Sequence, residues 1–101
     1  MKSYERLMEY AKYPTGSIEE NASCPSNPKE FDFANALAEE MKSLGITDAE
    51  VDENCYVMGT IPANIEGYNG PVLGLIAHID TSPDAPNENV KPKLTHYEGG
   101  D

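Results

Sequence analysis

The stretch that most constrains this chain is Val72-Leu73-Gly74-Leu75-Ile76-Ala77, which is apolar on both faces of an extended backbone. A strand with one wet face alternates apolar and polar side chains, whereas a strand covered on both faces reads as a continuous apolar run. The run therefore predicts an interior strand of an α/β sheet, with neighbours on each edge and helices on each face. A chain of 101 residues leaves few other elements to supply those neighbours. A globule of this length buries roughly 65% of its unfolded surface, enough for one core. A single partial domain spanning residues 1–101, incomplete in its sheet, is the expectation.

The charge balance narrows the partners. With 18 acidic residues against 7 basic ones and a net charge of -11, the chain has no positive footprint with which to displace counterions from nucleic acid or dock on an anionic membrane. No apolar run approaches the roughly 20 residues of a membrane-spanning helix. The first residues, Met1-Lys2-Ser3-Tyr4-Glu5-Arg6, lack the apolar core and small-residue cleavage site of a secretion signal, so a cytoplasmic location is expected. Cys24 and Cys55 match no zinc-knuckle or redox spacing, and reduced thiols are expected there.

Tyr4, Leu7, Met8 and Ala11 fall at i, i+3, i+4 and i+7, predicting a helix from Ser3 to about Tyr13 that Pro14 stops. Residues 14–27 carry Gly, Ser, Asn and Pro without a period and predict a long loop, for which a functional role and a surface excursion are equally ordinary explanations. Asn27 as N-cap, Pro28 at the first helical position and Glu30 form a start signal for a second helix. Its stripe of Phe33, Ala34, Leu37, Ala38, Met41 and Leu44 ends at Gly45, the place of a left-handed C-terminal glycine. Ala49–Asp52 and Tyr56–Ile61 predict two short strands around an Asp52-Glu53-Asn54 turn. Residues 62–71 read as a loop, 72–77 as the interior strand, and Lys93–Tyr97 as a last short strand.

The chemistry concentrates in His78-Ile79-Asp80-Thr81, at the C-terminal end of the apolar run. In open α/β sheets, ligands collect outside that end. Two residues apart on an extended backbone, His78 and Asp80 point to the same side. The carboxylate can then take the N–H of one imidazole nitrogen while the other faces a metal, which fixes the tautomer and raises ligand basicity. Spacing alone favours a solvated histidine beside a turn-forming aspartate, because Asp80-Thr81-Ser82-Pro83-Asp84 is also ordinary turn chemistry. One histidine does not hold a catalytic zinc ion, which takes about three protein ligands. His96, in a polar segment, reads as a surface residue, and any co-ligands of His78 lie outside these 101 residues.

Several segments then resemble one family in order along the chain. They are Tyr13-Pro-Thr-Gly-Ser17, Cys24-Pro-Ser-Asn27, Thr60-Ile-Pro-Ala-Asn64, Leu75-Ile-Ala-His-Ile-Asp-Thr-Ser-Pro-Asp84, Asn89-Val-Lys-Pro92 and Tyr97-Glu-Gly-Gly-Asp101. Together they resemble the N-terminal part of the peptidase T family, tripeptide aminopeptidases of the dinuclear zinc exopeptidase superfamily. The resemblance implies an α/β fold, the first part of a zinc-exopeptidase-type catalytic domain with two helices packed on a small mixed sheet. It implies that His78 is a ligand of the first of two zinc ions and that Asp80 is the catalytic-site carboxylate that orients it. The family's metal-bridging Asp, adjacent Glu pair, further acidic ligand and distant His have no matching positions here, so the isolated chain is expected to be inactive.

Tripeptides are the substrates, and so the small-molecule partners, that the resemblance implies. Two other readings remain open on the residues: a small acidic protein-binding module, and a related dipeptidase or deacylase sharing the His-x-Asp-Thr core. The unfinished sheet also predicts self-association through exposed strand edges.

Overall fold

In the computed structural model, which describes Met1–Gly100, the organising element is helix α2, Glu30–Ser43. Asp101, the last residue of the segment beginning at Tyr97, lies outside the described residues. Ahead of α2, the Oδ1 of Asn27 accepts the Lys29 N–H at 3.0 Å, and the Glu30 N–H reaches the Asn27 carbonyl at 3.1 Å. Asn27 therefore caps a tight turn leading into the helix, and Lys29 takes the flanking position that the sequence assigned to Asn27. At the other end, Gly45 adopts φ 100°. Its N–H bonds the Lys42 carbonyl at 3.0 Å, and the Ile46 N–H bonds the Met41 carbonyl at 3.0 Å. That double closure needs a left-handed residue, and glycine supplies it without a Cβ clash.

Helix α1, Ser3–Tyr10, is shorter than predicted, and it docks through a different face. Leu7 remains 66% exposed and Tyr4 41%. Contact comes instead from Arg6 and Tyr10, one turn apart, which both reach Glu40 on α2: the Arg6 Nε lies 2.5 Å from Oε1, and the Tyr10 hydroxyl donates to Oε2. Phe33 of α2 packs between Tyr10, at 5.2 Å between ring centroids, and Tyr13, at 5.1 Å. Aromatic area and an ion pair outweigh the aliphatic stripe in setting the helix rotation, because a large ring buries more surface than Leu7 alone.

Strands β1, Glu50–Val51, and β2, Val57–Met58, form a two-stranded antiparallel sheet with Glu50 opposite Met58 and Val51 opposite Val57. The turn between them is the predicted one. Asp52 Oδ1 accepts the N–H groups of Asn54 at 2.9 Å and Tyr56 at 2.8 Å, and Cys55 takes a left-handed φ of 68°. Helix α2 lies against both strands, with Ala34, Ala38, Ala49 and Cys55 buried between them.

The remainder departs from expectation. The sheet is antiparallel, not mixed; α1 docks on α2 through Arg6 and Tyr10, and α2 is the helix that lies against the sheet. Residues 72–77 and 93–97 form no strand, and Ile76 is 99% exposed. An interior strand is made by backbone partners on both edges, and the described residues place none beside this run. The unfilled architecture shows in the dimensions. The radius of gyration is 16.8 Å, against about 13 Å for a compact domain of this length. The accessible surface is 8372 Å², against about 5,600 Å² for a compact monomer of this mass. No helix among the described residues is long and apolar enough to cross a membrane.

Candidate metal centre

The segment bearing His78 and Asp80 is fastened at Thr81. The Thr81 N–H donates to the Thr15 carbonyl at 2.9 Å, and the Ser17 N–H donates to the Thr81 carbonyl at 3.0 Å. These bonds make a single parallel bridge between Gly16 and Thr81. The Thr15 and Thr81 hydroxyls add a 3.5 Å contact. Residues 14–27 are thus an anchored loop: Asn27 Nδ2 donates to the Gly16 carbonyl at 2.8 Å, and Ser26 Oγ accepts the Ile18 N–H at 3.0 Å. Through Thr15, Gly16 and Ser17 the loop is bonded to the segment that carries the candidate site.

Three residues before that bridge, the His78 Nδ1 lies 3.0 Å from Asp80 Oδ1 and 2.8 Å from the Asp80 carbonyl oxygen. Two acceptors at one ring nitrogen select the tautomer with the proton on Nδ1, leaving Nε2 as the basic nitrogen. That is the arrangement expected from the spacing, with the backbone carbonyl as an acceptor that spacing did not reveal. Both side chains face solvent, at 84% and 52% exposure. His96 sits apart on the surface, 3.5 Å from Glu98.

His78 and Asp80 form one rim of an open groove of about 720 Å³, whose other walls include Leu37 and Met41 of α2 and Val57 of β2. Two further groups line it. Glu30 is only 5% exposed, and among the described residues its Oε1 has no hydrogen-bond partner. Burial, reinforced by the charge of Asp80, pushes the Glu30 carboxyl above the ordinary carboxylate range. Cys55 is a buried free thiol whose pKa burial raises, with Glu30 the next cause. Exposed Cys24 approaches the turn, its Sγ 3.6 Å from the Asn54 carbonyl. Sequence reasoning took Glu30 as part of a helix start and missed its place in the groove. Its pairing across the fold with Asp80 carries no spacing signal.

No family model matches the chain. Curated proteins do. It is 44% identical to a peptidase T of Aliivibrio fischeri over 96% of its own length, 46% identical to one of an Exiguobacterium species over 99%, and 43% identical to one of Parabacteroides distasonis over 100%. Over these residues the chain is a homologue of peptidase T. It spans about a quarter of the length of the curated relatives it matches, 24–25% in each of these three. The likeness extends through both helices, the hairpin and the His78 segment, so the peptidase T reading stands ahead of the dipeptidase, deacylase and binding-module alternatives.

The residues present have the chemistry of one corner of a zinc site. The donor chemistry suits it, with a basic Nε2 whose ring is steered by a carboxylate, and so does the orphaned carboxyl oxygen of Glu30 in the same groove. The corner is not a complete site: among the described residues no group of three or more His, Cys, Asp or Glu side chains is arranged to hold a metal ion.

Proposed function

We propose that these residues belong to a zinc-dependent tripeptide aminopeptidase of the cytoplasm, in which His78 is a ligand, through Nε2, of one of two zinc ions and Asp80 orients it. The observation carrying this reading is the 3.0 Å contact between His78 Nδ1 and Asp80 Oδ1, within a chain homologous to peptidase T over its length. When bound, zinc supplies Lewis acidity toward a peptide carbonyl and a water acidic enough to attack at neutral pH.

The chain's own residues prepare the ligand. Asp80 holds the proton on Nδ1, so that the Nε2 lone pair is presented in one ring orientation. Thr81, bonded to Thr15 and Ser17, fixes the backbone from which both side chains project. Neither group is placed to take a proton from an attacking water, since Asp80 is committed to the imidazole. The 101 residues alone therefore present one ligand and no general base, and are expected not to turn over.

The test is release of the N-terminal residue from a tripeptide by the protein expressed from the reading frame continued beyond Asp101. His78→Ala is expected to abolish turnover and lower zinc content by metal analysis. Asp80→Asn is expected to weaken zinc binding about 10–100-fold with unchanged circular dichroism. Wild-type turnover and zinc content in His78→Ala would overturn the assignment, and hydrolysis by the 101-residue chain would overturn its inactivity.

A further inference from the structure

Glu30 is the residue whose place the fold does not explain. Its backbone N–H is already bonded to the Asn27 carbonyl, and the turn before the helix is closed by the Asn27 side chain, so its carboxyl is not needed as a cap. An acid in the first turn of a helix gains modestly from the helix dipole. A buried acceptor left without a partner costs more than that, and more again when charged. The cost exceeds the gain, and Asp32 is an alternative acid in the same turn.

What surrounds the carboxyl suggests its counterpart. It lines one groove with Asp80, His78 and Cys55, and among the described residues no Lys or Arg lines that groove. The charge of Asp80 disfavours that of Glu30, while His78, with Nε2 as its basic nitrogen, lines the same groove. A cation at that nitrogen would be attracted by both negative charges, and the burial of Glu30 reduces solvent screening on its side.

We infer that Glu30 is a positioning residue for the metal ion held at His78, acting on it through the groove by its buried charge and not as a ligand. The inference rests on the proposed zinc role of His78 and adds to it a second acid, lining the same groove. It also gives a reason for a costly residue at this place: Glu30 lowers the stability of the metal-free fold and raises the affinity of the loaded one.

Those two signs make the test. In a Cys24→Ser background, which removes the exposed competing thiol, the protein expressed from the continued reading frame is compared for Glu30→Gln, Glu30→Asp and His78→Ala by its metal-free thermal midpoint and by its zinc affinity in chelator competition. Glu30→Gln is expected to raise the metal-free midpoint by about 2–4 °C and to weaken zinc binding about tenfold. Glu30→Asp, which keeps the charge, is expected to stay within about threefold of the parent, in line with an effect of charge, not of contact. A lowered midpoint in Glu30→Gln, including failure to fold, would mark a merely structural acid and overturn the inference. So would unchanged zinc affinity in Glu30→Gln where His78→Ala abolishes binding. Unchanged affinity in His78→Ala would instead overturn the zinc reading itself, and the role of Glu30 with it.

Discussion

The residues up to Met58 and those after it solve the burial problem in opposite ways. Among the described residues, every buried one, from Thr15 to Cys55, lies in the first part, where Phe33, Ala34, Ala38 and Ala49 form the apolar centre. The second part holds the densest apolar run of the chain, yet Val72 is 96% exposed and Ile76 99%. Apolar sequence is therefore not enough for burial. The helices and hairpin find their partners within about thirty residues along the chain, as with Tyr10 and Glu40. A strand covered on both faces requires partners of its own length on each edge, and those are not local.

The contrast is tested most severely by removing an apolar side chain from each part. Phe33→Ala should cost about 3–5 kcal/mol, since it deletes the ring that both Tyr10 and Tyr13 pack on. Urea unfolding followed by circular dichroism measures it. A smaller loss, about 1 kcal/mol, is expected from Asp52→Ala, which releases two N–H groups at the hairpin turn. Unchanged unfolding in that variant would show that the turn holds without its side chain.

Weaker still is the clasp between the helices, because it is only partly buried and is screened by salt. The Tyr10 hydroxyl, then Arg6, hold the Glu40 carboxyl below its ordinary pKa of 4.5. A depressed carboxyl contributes stability above its unfolded pKa and loses it as pH falls through the folded one. Tyrosine fluorescence should therefore report loosening below pH 4.5, and not above it. Tyr10, pushed up to about 12 chiefly by burial and then by its bond to Glu40, works in the other direction. Its contribution is complete below pH 10 and lost as pH rises through 12, which phenolate absorbance follows. The smallest effect on stability, within about 0.5 kcal/mol, is expected from Ile76→Lys at the exposed run. That same variant should reduce binding of a hydrophobic dye and concentration-dependent light scattering. A large stability loss would show that the run is packed in solution.

How far the sequence was legible follows the same division. The Gly45 closure and the Asp52 turn are local, and both are where residue type and spacing put them. Helix α1 was placed correctly but its docking face was not, because the pull of Glu40 and Phe33 comes from another element. The run at 72–77 reads as an interior strand but forms none here, because strand formation depends on edges that no period within the run describes. At the candidate site the His78–Asp80 contact follows from two-residue spacing. Glu30 and the Gly16–Thr81 bridge do not, since one is a through-space neighbour and the other a bond between backbones, which leaves no mark on side-chain type.

That bridge also orders events during synthesis. The Ser17 hydroxyl and backbone reach a carbonyl 64 positions later in the chain, and a ribosome adding about 5–20 residues per second needs about 3–13 s to deliver it. Both helices and the hairpin can assemble in that interval while the loop of residues 14–27 waits for its bonds to Thr81. The imidazole of His78 emerges just before its own fastening, so the candidate corner is locked only after both helices and the hairpin have been synthesised.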